Sequence, residues 1–286
     1  QFLLIFLVFT LFANLLSAQS PRVEFKLEKG WKFTKGDYPD AINKNFDDKK
    51  WESVTVPHDW AIYGPFDREY DLQTVAVTQN GEKVATVKTG RTGGLPYVGV
   101  GWYRTEFNVN DFTKSGKRVN LLFDGAMSEA RVYVNGKEVI FWPYGYNSFH
   151  CDVTDFLNED GQNNQLAVRL ENRPQSSRWY PGAGLYRNVH VIVTDAVHVP
   201  VWGTYITTPF VSEKFASVKL KTEIKNSNNE NVRVVTVIKD ANGKAVSTKD
   251  NTMKINHGKA FEQNLTVDRP KLWSPETPYL YFAESS

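Results

Sequence analysis

Cysteine is almost missing from this sequence: Cys151 is the only one among 286 residues. No internal disulfide can form, so stability must come from packing. Charge of one sign is missing as well. The chain has 34 basic against 32 acidic residues, a net +2, so no overall field draws nucleic acid or an anionic membrane. The five histidines (His58, His150, His190, His198 and His257) are scattered without ligand spacing, and one cysteine cannot build a soft metal site. There is no GxSxG elbow and no phosphate-binding loop. Neither a metal nor an organic cofactor is expected.

Charge is wholly absent from residues 1–20, QFLLIFLVFTLFANLLSAQS. This apolar run is shorter than the ~20 residues a membrane span needs and is interrupted by Asn14. With Ser17-Ala18-Gln19 it reads as a signal peptide, 1–18, cleaved after Ala18. Export to a bacterial periplasm or to the outside is expected, with no membrane attachment after cleavage. The chain starts at Gln1, with no basic residue before the run, so the start of the reading frame is expected upstream.

Helical periodicity is missing too. From Val23 onward short β-branched or aromatic runs alternate with Gly, Asn, Asp and Pro, the pattern of an all-β chain. The clearest strands are 102–109, 118–123, 130–134, 165–171 and 189–194. Asn135-Gly136 predicts a tight hairpin, since both turn positions take positive φ cheaply. Residues 152–157 predict a one-turn helix or a turn, and the glycine-rich 91–101 reads as a loop. Composition becomes plainer near 197–203, which sets a boundary: one sandwich over 23–197 and a second over 198–286. The second shows strand signals at 8–12-residue spacing and is expected to be cut short.

What is abundant is aromatic surface, 14% of the chain with 8 Trp and 13 Tyr. Two clusters stand out. In VPHDWAIYGPF (56–66), Trp60 offers an indole face for the C–H face of a pyranose and Asp59 an acceptor for its hydroxyls. The alternative is that Trp60 plugs the end of the sandwich and Asp59 caps a turn. In SSRWYPGAGLYRNV (176–189), Arg178 and Trp179 precede a small-residue loop that lets backbones approach closely; the alternative there is an interdomain packing loop. Asp59, Trp60, Arg178 and Trp179 are the candidate substrate-binding residues. No two carboxylates sit in a motif that would bring them to the roughly 5–5.5 Å separation of a retaining glycosidase, so no catalytic residue is nominated.

These clusters, with W-K-F-T-K-G-D at 31–37, D-D-K-K-W at 47–51, G-V-G-W-Y-R at 99–104, V-Y-V-N-G-K at 132–137, L-A-V-R-L-E-N at 166–172 and P-K-L-W-S-P-E-T-P-Y-L-Y at 270–281, resemble the N-terminal region of glycoside hydrolase family 2 of the β-galactosidase type. The resemblance implies a galactose-binding-like jelly-roll β-sandwich, then an incomplete immunoglobulin-like β-sandwich. It further implies a (β/α)8 barrel beyond Ser286 that carries both catalytic glutamates. The chain is then a non-catalytic part of an exported β-glycosidase, inactive alone, with a carbohydrate and the barrel of the same polypeptide as partners and room for a homo-oligomer. Family members place an acidic residue before the aromatic-to-glycine loop; Arg178 stands there instead. A stand-alone carbohydrate-binding module and a purely structural adhesion-type sandwich are the competing readings.

Overall fold

A computed structural model describes residues 22–67, 69–70, 72–75, 86–89, 97–110, 116–173, 181–225, 231–254 and 260–286. The signal-peptide reading therefore lies outside the described residues, as do Arg178 and Trp179. Among the described residues there is no α-helix, and no helix long and apolar enough to cross a membrane.

The first part of the chain contributes β1 (Val23–Lys26), β2 (Trp31–Lys35), β3 (Glu52–Val54), β4 (Leu72–Val75), β5 (Thr86–Thr89), β6 (Gly99–Asn108), β7 (Arg118–Phe123), β8 (Ala130–Val134), β9 (Lys137–Trp142), β10 (Phe149–Asp152), β11 (Asn163–Asn172) and β12 (Val189–Thr194). One sheet runs β1-β12-β7-β10 and the other β3-β2-β6-β11-β8-β9, while β4 pairs with β5. All pairings are antiparallel. The two larger sheets face each other as the jelly roll. Period-two alternation drives this: Val119, Leu121 and Phe123 of β7, Val132 and Val134 of β8, and Leu166, Val168 and Leu170 of β11 all point into one core. Phe123 and Phe149 stack within it, ring centres 4.7 Å apart.

The outer face of the six-stranded sheet is also covered. Residues 36–51 lie across it, and Ala41, Ile42, Phe46 and Trp51 pack on Trp102, Tyr133 and Ala167. Arg104, on the same face and 4% exposed, pins this cover. Its guanidinium donates to the carbonyls of Ala41 and Asn43 and pairs with Asp48 at 2.7 Å. A fixed planar fork with five donors suits several acceptors at once.

The second part supplies β13 (Thr204–Val211), β14 (Phe215–Glu223), β15 (Asn231–Lys239), β16 (Ala245–Lys254), β17 (Ala260–Asp268) and β18 (Phe282–Ser285). They form two three-stranded sheets, β13-β14-β17 and β16-β15-β18, an immunoglobulin-like sandwich. Its core gathers Val218, Leu220, Ile238, Leu265 and Val267, and a buried polar pair crosses between the sheets, Thr236 donating to Gln263 Oε1 at 2.5 Å. A backbone bridge from His198 to Lys225 ties the connection to the end of β14.

Asn135 and Gly136 have φ of 50° and 82° and close the β8–β9 hairpin. Thr154–Phe156 forms a 3-10 turn. Of the loop reading of 91–101, residues 91–96 lie outside the described residues and the end fails, because Gly99–Gly101 begin β6, where Gly101 pairs with Leu170. Glycine is tolerated there because Trp60 occupies the space a side chain would fill.

Candidate functional site

The loops carrying the two clusters interlock at one end of the jelly roll. The His58 N–H donates to Leu185 O at 2.7 Å. Asp59 Oδ1 accepts from the Ala61 N–H at 2.9 Å within its own loop and from the Ala183 N–H at 3.1 Å across the gap. Gly182 and Gly184 have φ of 77° and 89°. At Gly184 a side chain is impossible: a Cβ would lie 2.3 Å from the Tyr103 hydroxyl and 2.6 Å from His58 O. Gly184 also exchanges two backbone hydrogen bonds with Met127, and Tyr186 donates its hydroxyl to Gly145 O at 2.7 Å. The close approach anticipated from the small-residue loop is thus realised through Gly184.

Asp59 is half-buried beside a cleft of about 440 Å3 that is also lined by Glu52, Thr55, His58, Tyr63 and Tyr186. Aromatic side chains stand exposed at this end: Tyr63 at 83%, with Phe66, Tyr144 and Tyr146. His58 was not singled out from the sequence, yet its Nδ1 lies 2.7 Å from the Tyr103 hydroxyl. Burial lowers the His58 pKa and raises that of Tyr103 well above the ordinary phenol value, so both stay uncharged near neutrality. No spacing could have revealed this pair, because Tyr103 comes from β6, 45 residues away.

Trp60 is the correction. The expected sugar platform is 2% exposed. Its indole stacks on Phe33, with ring centres 5.5 Å apart, lies 6.3 Å from the Tyr103 ring, and covers Gly101. The indole N–H donates to Tyr97 O at 3.3 Å. A large aromatic beside a glycine strand is worth more as core than as a wet face, so Trp60 plugs the sandwich end. Asp59 joins two loops as well as bounding the cleft. Among the described residues, no group of three or more His, Cys, Asp or Glu is arranged to hold a metal ion.

The architecture is thus a jelly roll with loops converging at one end, followed by an immunoglobulin-like sandwich. The comparisons are specific. Residues 25–195 match the family described as glycosyl hydrolases family 2, sugar binding domain, and residues 197–286 match glycosyl hydrolases family 2. The chain belongs to glycoside hydrolase family 2. It is 40% identical, over 93% of its length, to 30% of a β-galactosidase of Bacteroides ovatus. It is 29% identical, over 92% of its length, to 27% of a β-glucuronidase of Formosa agariphila. A crystal structure of a family 2 member from Bacteroides cellulosilyticus superposes with a TM-score of 0.80 at 30% identity, covering 92% of this chain and 33% of that one. The chain thus spans about a third or less of the length of the relatives it matches.

Proposed function

We propose that this chain is the N-terminal, non-catalytic region of an exported retaining exo-β-glycosidase acting on β-galactosides. In this reading the loops at 56–66 and 176–189 form part of the wall of a pocket whose catalytic carboxylates lie elsewhere in a longer polypeptide, on a (β/α)8 barrel. The 40% identity to a β-galactosidase over nearly the whole chain carries it. The β-glucuronidase-type relatives are more distant, at 32% and 29%.

The chemistry of the loop end fits such a wall. A carboxylate half-exposed at a cleft accepts hydrogen bonds from sugar hydroxyls, and charge-assisted bonds of this kind are the stronger ones. Asp59 is held in place by backbone donors from two loops, so binding need not order it first. The neighbouring tyrosines offer amphipathic faces that exclude water. Bond cleavage by general acid and nucleophilic carboxylates would then be supplied by the barrel. Burial of the Trp60 indole weighs against the stand-alone binding module, which needed that indole as a platform.

The test is Asp59→Asn in the longer polypeptide. This change keeps the loop-joining oxygen and removes the charge. A fall in kcat/KM of tenfold or more on an aryl β-galactoside, with an unchanged urea midpoint, supports the wall; unaltered kinetics overturn it.

A further inference from the structure

A second groove of about 490 Å3 lies far along the chain from Asp59, where the two sandwiches meet. It is lined by Arg118, Asn120, His150, Asp152, His198 and Lys225. At its rim stands Trp202, 61% exposed, with its ring centre 5.1 Å from that of His150 in an edge-on arrangement.

The backbone at Trp202 is unusual. Gly203 N–H donates to Pro200 O at 2.9 Å, closing a four-residue turn in which Trp202 is the third residue, with φ +57°. That position favours glycine or asparagine. Gly203 itself is fixed by crowding, since a Cβ there would lie 2.7 Å from Pro200 Cδ. The turn is tied down further by the Glu223 N–H donating to Gly203 O at 2.7 Å. A rigid turn thus holds a large apolar side chain out in solvent, in a left-handed conformation that a smaller residue would adopt more easily. Such conformations persist where something else over-determines them, and they cluster at ligand clamps.

The polar groups define the ligand. Arg118 pairs with Asp152 at 2.7 Å and Asp155 at 3.6 Å, and Lys225 with Glu223 at 2.6 Å. The formal charges are therefore spoken for within the protein, which leaves little attraction for an ion. What remains is hydrogen-bonding capacity at the groove surface, from the Asn120 carboxamide and the half-buried His150 ring. Burial also lowers the His150 pKa, keeping the ring neutral and able both to donate and to accept.

From the exposed Trp202 indole beside this charge-compensated groove we infer that the chain has a second carbohydrate site, which takes a neutral pyranose unit of a glycan. The indole carries the C–H face of the ring, while Asn120, His150 and the outer atoms of the Arg118–Asp152 pair meet its hydroxyls. This site is separate from the loop end described above. It would hold a glycan without taking part in cleavage.

The experiment is a titration of the 286-residue chain with galactose, with cellotetraose and with an oligogalacturonate, following the indole N–H resonances and tryptophan fluorescence. The account expects saturable, millimolar-or-tighter binding of a neutral sugar that perturbs the Trp202 resonance. Trp202→Gly should abolish it without lowering the urea midpoint, because glycine suits the backbone there. Trp202→Phe should weaken it severalfold, and Asp59→Asn should leave it unchanged, which separates this site from the pocket wall. No saturable response to either neutral sugar, equal binding by Trp202→Gly, or binding confined to the oligogalacturonate would each overturn the inference. A Trp202→Gly chain with a lowered midpoint would also overturn it, by making the indole a packing residue.

Discussion

The six-membered ring of Trp60 lies directly against Gly101, so close that a methyl group at Gly101 would meet Cζ3 at 2.5 Å. A loop residue and a strand residue are thereby fitted to each other, and the loop bearing Asp59 is seated on the sandwich by its neighbour. Gly101→Ala must push the indole out or bend β6. Overpacking of this kind costs about 1–3 kcal/mol, and Trp60→Ala about 3–5 kcal/mol through the cavity it leaves. Urea unfolding of both variants is the check, and the double variant should cost less than the sum of the two.

Arg104 makes a second, chemically different lock. Its guanidinium holds the cover segment by the carbonyls of Ala41 and Asn43 and by Asp48. Arg104→Ala should cost about 2–3 kcal/mol, since hydrogen bonds to a charged group are lost and acceptors are left unpaired. Hydrogen exchange should accelerate most at the amides of Ala41 and Asn43, and Arg104→Lys should recover only part of the loss.

Acid should act through His58. Burial holds its pKa below the ordinary 6.5, so the unfolded chain takes up a proton at a higher pH than the folded one. Stability is then full above about pH 7 and falls as the pH drops through 6.5 toward the folded-state value. His150 is shifted in the same direction, so the comparison that matters is wild type against His58→Gln. The variant should show a shallower decline in urea midpoint between pH 7 and pH 5.

Cys151 should be inert in the folded chain. Its side chain is buried between the sheets, and burial pushes the thiol pKa up to about 12. The thiolate, which is the reactive form, is then scarce at pH 8. A disulfide-exchange reagent should label the native chain orders of magnitude more slowly than the urea-unfolded chain.

Much of this architecture is legible in the sequence because period-two alternation is local: β7, β8 and β11 can be read from their own residues, and Asn135-Gly136 announces its hairpin. The family motifs carried the two-sandwich order. The role of Trp60 was not legible, because an indole beside an aspartate in a Pro-Gly loop has the same local signature whether it faces water or core. Gly101, more than forty residues away, decides between them. The Arg104 lock and the His58–Tyr103 pair were hidden for the same reason, each joining residues that meet only through sheet register. Trp202 was passed over because a turn in a linker has no pattern that distinguishes an outward indole from a buried one.

The central claim is that these sandwiches wall a pocket while the bond-breaking carboxylates lie elsewhere in a longer polypeptide. The direct measurement is hydrolysis of a chromogenic β-galactoside by the purified 286-residue chain, set beside the full-length protein. The account predicts no release of chromophore above the uncatalysed rate from the chain and ready turnover by the longer protein. Turnover by the chain alone, abolished by substitution of one of its own carboxylates, would contradict it.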